Sequence, residues 1–130
     1  MISYIVRSRD GITGELHGGV GTFRVLIDRE ICGAKNFSLL LNVTNPNVVG
    51  EEHSHEEEHA FYILEGEGIM ELDNKRYQVG PGTAIFVPPG VSHKLSCSGD
   101  VPIRYIVVYA PPGPEQKLKQ EGKDSFVKRH

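Results

Sequence analysis

The feature that most constrains this chain is how regularly its apolar stretches are broken. Short runs rich in β-branched and aromatic residues occupy positions 1–6, 22–27, 37–43, 60–64, 68–72, 84–87, 91–95 and 103–109. Between them stand Asn45-Pro46-Asn47, Glu65-Gly66-Glu67-Gly68, Asp73-Asn74, Gly80-Pro81-Gly82 and Pro88-Pro89-Gly90. These residues supply the fixed or positive φ that a chain reversal needs, and they disfavour helix interiors. Strands at this spacing, with little helical periodicity, predict an all-β sandwich or barrel. Asp73-Asn74 fits a two-residue hairpin, since both residues tolerate the left-handed region. From Ile103 to Ala110 only Arg104 interrupts the apolar run, which predicts a strand covered on both faces. In a small barrel one face fills the interior and the other lies under a second layer. A partner subunit is the candidate for that layer, so a homodimer is expected.

At 130 residues the chain is long enough for one domain with a closed core. The expected division is a single barrel over 1–113 and a polar tail over 114–130. A formal net charge of −3 and a pI near 6.1 give no attraction to nucleic acid or to membrane surfaces. Lys123, Lys128 and Arg129 lend the tail a basic lean that fits a solvated terminus. No stretch has the length of a membrane span, and the first residues lack the apolar core of a secretion signal. The expectation is a soluble, cytoplasmic protein. Cys32 and Cys97 show no metal-ligand spacing and fit isolated thiols better than a disulfide. Pro111-Pro112-Gly113-Pro114 ends the last strand; a short helix is expected to begin at Pro114 and stop at Gly122. Whether the remainder, polar apart from Phe126 and Val127, folds across the barrel is left open by the sequence.

Four of the six histidines fall into two blocks. The first reads His53-Ser54-His55-Glu56-Glu57-Glu58-His59; the second ends Pro88-Pro89-Gly90-Val91-Ser92-His93. Along a strand, residues two apart share a face, so His53, His55 and His59 share parity with Phe61 and Ile63. Glu57 has that parity too, and a bulge or loop must turn it aside. Pro89-Gly90 fits the centre of a type II turn, which would aim His93 inward beside Val91 and Leu95. Converging neutral imidazoles suit Mn, Fe, Ni, Cu or Zn rather than Ca or Mg. His17 and His130 are read as ordinary histidines. His55-Glu56-Glu57-Glu58-His59 also spells H-E-x-x-H, a zinc-protease pattern that requires a helix. The strand-like residues that follow argue against it. The surrounding glutamates form a solvated rim, with Glu52 and Glu57 as candidates for a base or for a partner to a ligand imidazole. Tyr62, Tyr77, Tyr105 and Phe86 are read as packing residues.

Together the two blocks resemble the paired signature motifs of the cupin superfamily. Its first motif has Gly, five residues, His-x-His, three or four residues, Glu, six residues and Gly; here His53, His55 and Gly66 match, with His59 in the Glu slot. Its second has Gly, five residues, Pro-x-Gly, two residues and His, matched by Gly82, Pro88, Gly90 and His93. The resemblance spans about residues 35 to 110. It implies a double-stranded β-helix, or jelly-roll, barrel of the small single-domain kind with a four-histidine site for a divalent transition metal. Three positions depart from the pattern. His59 removes the one anionic ligand, Asn47 stands at the first Gly, and Cys97 stands where an Asn often closes the second motif.

Four neutral ligands leave the +2 charge of a metal uncompensated, which favours a small-molecule substrate with chelating oxygens. An open coordination side could polarise a carbonyl or activate water. Two classes of function follow. One is an enzyme, either a dioxygenase or a Lewis-acid isomerase, lyase, cyclase or decarboxylase. The other is a non-catalytic module that binds or senses a sugar or organic acid. Fold resemblance alone does not choose between them.

Overall fold

The computed structural model describes residues 2–16 and 19–120. Among the described residues nine strands form two antiparallel sheets. They are β1 (Ile12–Leu16), β2 (Gly21–Ile27), β3 (Ser38–Thr44), β4 (Glu58–Glu65), β5 (Gly68–Leu72), β6 (Lys75–Val79), β7 (Ala84–Val87), β8 (His93–Cys97) and β9 (Ile103–Ala110). One sheet runs β1-β2-β3-β9-β4-β7 and the other β6-β5-β8. This all-β, antiparallel arrangement is that of a jelly-roll barrel.

Period-two side-chain alternation builds the core. In β3 and β9 every second residue is buried, and register pairs Leu40 with Val107 and Asn42 with Tyr105. Phe23, Val25, Leu40, Ile63, Met70, Val87, Ile103 and Val107 are sealed from solvent. Each contributes about 1.5–3 kcal/mol of burial relative to exposure. The intervening residues Leu39, Leu41, Ile106 and Val108 point outward and are half-buried.

The turns follow the residues that mark them. Asp73 (φ 51°) and Asn74 (φ 66°) close the β5–β6 hairpin in the left-handed region. Asn47 takes φ 60° at the position where the resemblance calls for Gly. Gly90 sits at φ 77°, and the Val91 N–H donates to the Pro88 carbonyl at 3.3 Å. That turn ends at Val91, and β8 begins at His93, two residues later than the apolar run suggests.

Other elements differ from the sequence reading. The N-terminal apolar run forms no strand over residues 2–7, and Tyr4 and Ile5 are exposed. In place of a ladder, the Ser3 N–H donates to the Ile31 carbonyl at 3.0 Å. A strand, β1, arises instead at Ile12–Leu16, where Gly14 weakens the pattern. A short helix, α1 (Arg29–Cys32), is capped by Asp28, whose side chain accepts from the Ile31 N–H, and closed by Gly33 at φ 74°. Both cysteines are free thiols.

Residues 114–120 are helical (α2) and lie against the barrel. Buried Glu115 accepts hydrogen bonds from Ser38 Oγ and the Gly113 N–H, both at 2.8 Å. Fully buried Asp28 accepts from Lys119 Nζ at 2.8 Å and Gln116 Nε2 at 3.1 Å. Gly122, Phe126, Val127, His17, His130 and the basic residues Lys123, Lys128 and Arg129 lie outside the described residues. Among the described residues no helix is long and apolar enough to cross a membrane.

Candidate metal centre

The first histidine block enters β4 through an irregular lead. His53 pairs as an isolated bridge with His93, each N–H donating to the other's carbonyl at 2.8 Å. The Gly90 N–H donates to the His55 carbonyl at 2.8 Å, so residues 53–55 are stitched to the 90–93 turn. A bend at 56–57 then turns Glu57 aside, and β4 begins with His59 already on the inner face beside Phe61 and Ile63. The segment that spells H-E-x-x-H is bend and strand, not helix. His93 faces inward with Leu95 and Cys97.

The donor nitrogens of His55, His59 and His93 lie within 4.8 Å of one another. His53 is outside that set, with its ring centroid 6.1 Å from that of His93. Backbone carbonyls orient the rings of His93 and His55, and His59 Nδ1 lies 3.3 Å from His93 Nε2. His93 Nδ1 donates to the Val91 carbonyl and His55 Nδ1 to the Glu57 carbonyl, both at 3.1 Å. In a neutral imidazole that leaves each Nε2 with a lone pair, the form that binds a metal. His59 is 5% exposed, and its Nε2 is buried without a hydrogen-bond partner. An orphan of this kind costs about 1–3 kcal/mol, and the other nitrogen of the ring, Nδ1, faces His93 Nε2 at 3.3 Å. Three imidazoles whose donor nitrogens converge within 4.8 Å fit a divalent transition metal.

Electrostatics favour the neutral form of His59 and His93. Burial holds the His59 pKa well below 6.5, and the neighbouring rings of His93, His55 and His53 push it the same way. Burial also lowers that of His93, despite the Val91 carbonyl, with His55 adding to the effect. Tyr109 stacks on His59 at 4.4 Å and meets His55 edge-on at 5.7 Å. Burial, with Tyr105, Glu115 and Glu57 nearby, raises its pKa so that the phenol stays protonated.

The cluster opens into a cavity of about 820 Å³. Glu52, Ser54 and Glu57 line it near the histidines; Leu16, Leu95 and Val107 form apolar wall, and Lys117 and Leu118 of α2 contribute a further side. Glu57 Oε1 is 3.8 Å from His55 Nδ1, whereas Glu52 is exposed. Among the residues read as packing, Tyr105 lines the cavity, while Tyr62, Tyr77 and Phe86 are exposed. Asn42 also lines the cavity and was missed, although it stands at inward parity in an otherwise apolar strand.

Comparison with known proteins gives the following. A family model described as a cupin domain matches residues 42–109. The uncharacterized protein MJ1618 of Methanocaldococcus jannaschii is 42% identical over 55 residues, which is 42% of this chain and 44% of that protein. L-ectoine synthase of Bordetella petrii is 37% identical over 67 residues, 48% of this chain and 50% of the enzyme. The chain thus spans about half the length of these curated relatives. The structure of the polyketide cyclase RemF from Streptomyces resistomycificus superposes with a TM-score of 0.74 at 31% identity, covering 85% of this chain and 81% of RemF.

Proposed function

This chain belongs to the cupin domain family, and on that premise we propose that it is a small-molecule enzyme. In this reading His53, His55, His59 and His93 hold a divalent transition metal (Mn, Fe, Ni, Cu or Zn) that an oxygen-chelating substrate joins. The observation that carries it is the cluster of three imidazoles with donor nitrogens within 4.8 Å beside an open cavity. His53 completes the set by rotating its side chain about a backbone that His93 already holds. When bound, the ion supplies Lewis acidity toward a carbonyl oxygen.

The chain's own residues do the rest. The carbonyls of Val91 and Glu57 fix the ring faces of His93 and His55. Phe61 and Tyr109 pack around His59 and keep water from its buried side. Neutral donors leave the ionic charge to be balanced by the substrate, which selects enolates, hydroxy acids and β-dicarbonyls. Glu57 is the candidate base, and the exposed Glu52 is a weaker one. Lewis-acid chemistry of the isomerase, lyase, cyclase or decarboxylase kind ranks ahead of oxygen chemistry, because the likeness to a polyketide cyclase extends over most of the chain.

Elemental mass spectrometry on untagged protein purified without oxygen tests this reading. Stoichiometric zinc or nickel supports Lewis-acid chemistry. Iron, manganese or copper redirects the search to dioxygenase assays with dicarbonyls. A chain that takes up none of these metals overturns the enzyme in favour of a module binding a sugar or organic acid. A homodimer through the outward face of Leu39, Leu41, Ile106 and Val108 belongs to the same proposal; a monomeric mass in sedimentation equilibrium would remove it.

A further inference from the structure

One phenol stands against the histidine cluster with nothing of the protein on its hydroxyl. In β9, Tyr109 is registered between His59 of β4 and Ser38 of β3. Its ring centre lies 4.4 Å from that of His59 and 5.7 Å from that of His55, and the two imidazoles are 5.1 Å apart. The three rings thus form one packed group. Strand register and ring packing hold the phenol in place, so its hydroxyl is not needed to fix it.

Buried hydroxyls are almost always hydrogen-bonded. Tyr105, on the same inward face of β9, follows that rule, with its hydroxyl 2.9 Å from Thr44 Oγ1. Tyr109 departs from it. Among the described residues its hydroxyl has no hydrogen-bond partner. It is also not one of the side-chain oxygens sealed from solvent. Ser38 Oγ, across the register, donates instead to Glu115, while Glu115 and Glu57 reach Tyr109 through their charge alone. The hydroxyl therefore opens on the cavity, whose lining Tyr109 shares with His55, His59 and Glu57. A ring that only packs needs no oxygen here, since Phe61 flanks His59 at 4.2 Å without one.

We propose that Tyr109 is a catalytic residue whose hydroxyl donates a hydrogen bond to an anionic oxygen of the chelated substrate. The substrate class is an enolate or enolate-like chelator, in which negative charge is shared between the oxygens. A phenol has one O–H to give. Held by packing before the substrate arrives, it stabilises charge at that oxygen without reorganising. The donor also loses little freedom when it binds. This deepens the reading of the histidines as a chelating centre and rests on it.

The test compares zinc-loaded, full-length wild type with Tyr109→Phe, which removes the oxygen and keeps the ring. Isothermal calorimetry follows two probes. Tropolonate is an anionic chelator that binds through oxygen; imidazole is a neutral ligand that binds a metal through nitrogen. Tyr109→Phe should weaken tropolonate about tenfold, the scale of one hydrogen bond to a charged oxygen. Zinc content and imidazole affinity should not change. Equal tropolonate affinity in wild type and variant overturns the proposal and leaves the chelating centre standing. Loss of zinc from the variant, or an equal weakening of both probes, also overturns it, because the effect then belongs to the centre and not to the hydroxyl. Failure of wild type to take up zinc or to bind tropolonate overturns the chelating centre and the proposal with it.

Discussion

Asp28 should be the residue whose loss most loosens α2 from the barrel. Its carboxylate is fully buried and accepts three hydrogen bonds: from the Ile31 N–H at 2.7 Å, from Lys119 Nζ at 2.8 Å and from Gln116 Nε2 at 3.1 Å. Losing the cap of α1 costs about 1 kcal/mol. Losing a part-buried, charge-assisted bond to Lys119 costs about 1.5–3 kcal/mol. Gln116 retains Glu115 Oε2 at 3.0 Å and Lys119 retains Glu30 at 3.2 Å, so neither is orphaned and little more is added. Asp28→Ala should therefore lower stability by about 3 kcal/mol, a large part of what a domain of this size has. Asp28→Asn keeps the cap and should lose about 2 kcal/mol. Urea unfolding measures both, and trypsin should cut at Lys117 and Lys119 sooner in the alanine variant. Burial raises the Asp28 pKa, but the bonds from Lys119, Ile31 and Gln116 outweigh it and hold the value below 3.8. A depressed carboxylate stabilises above its unfolded pKa, so this contribution persists above about pH 4 and is lost as pH falls through the folded value. A loss under about 1 kcal/mol for Asp28→Ala, or no coupling with Lys119→Met in a double-mutant cycle, would refute the reasoning.

Three further outcomes are expected. His55→Ala and His93→Ala should each strip the metal, and zinc at a hundredfold excess over its Kd should stabilise wild type by about 2.7 kcal/mol and neither variant; full metal retention by both would sink the ligand assignment. In metal-free protein the His59 pKa lies well below 6.5, so the unfolded chain binds the extra proton and stability should decline as pH drops beneath 6.5. A flat urea midpoint from about pH 8 to pH 5, or an unchanged slope in His59→Gln, would contradict its buried neutral state. Gly66→Ala should cost about 2 kcal/mol or more, since φ is +85° and a Cβ would stand 2.5 Å from the Pro102 carbonyl oxygen. Thermal unfolding within a degree of wild type would show that the turn relaxes without strain.

Much of the barrel was legible because its signals are local. The hairpin at Asp73-Asn74, the turn at Gly90 and the inward parity of His59 and His93 each depend on a few adjacent residues and the period of a strand. The N-terminal run misled because apolar alternation does not guarantee a neighbouring edge to pair with. The α2 attachment was illegible for the opposite reason: Asp28 and Lys119 are ninety-one positions apart, and nothing in either segment announces the other. Within the site, spacing predicted which histidines converge, but not that His53 would lie apart from the other three. Side-chain rotation decides that, and parity does not encode it. Asn42 carried a readable signal, a polar residue at core parity, that outshone histidines masked.

The paired hydrogen bonds between His53 and His93 have a consequence for how such a barrel tolerates change. They join segments forty positions apart, so the distance between the two histidine-bearing stretches is fixed by main chain and is indifferent to most side-chain replacements. Lengthening or exchanging the loop at 45–52 would stop at that clamp. The residues of that loop can thus be rewritten while the imidazoles keep their spacing.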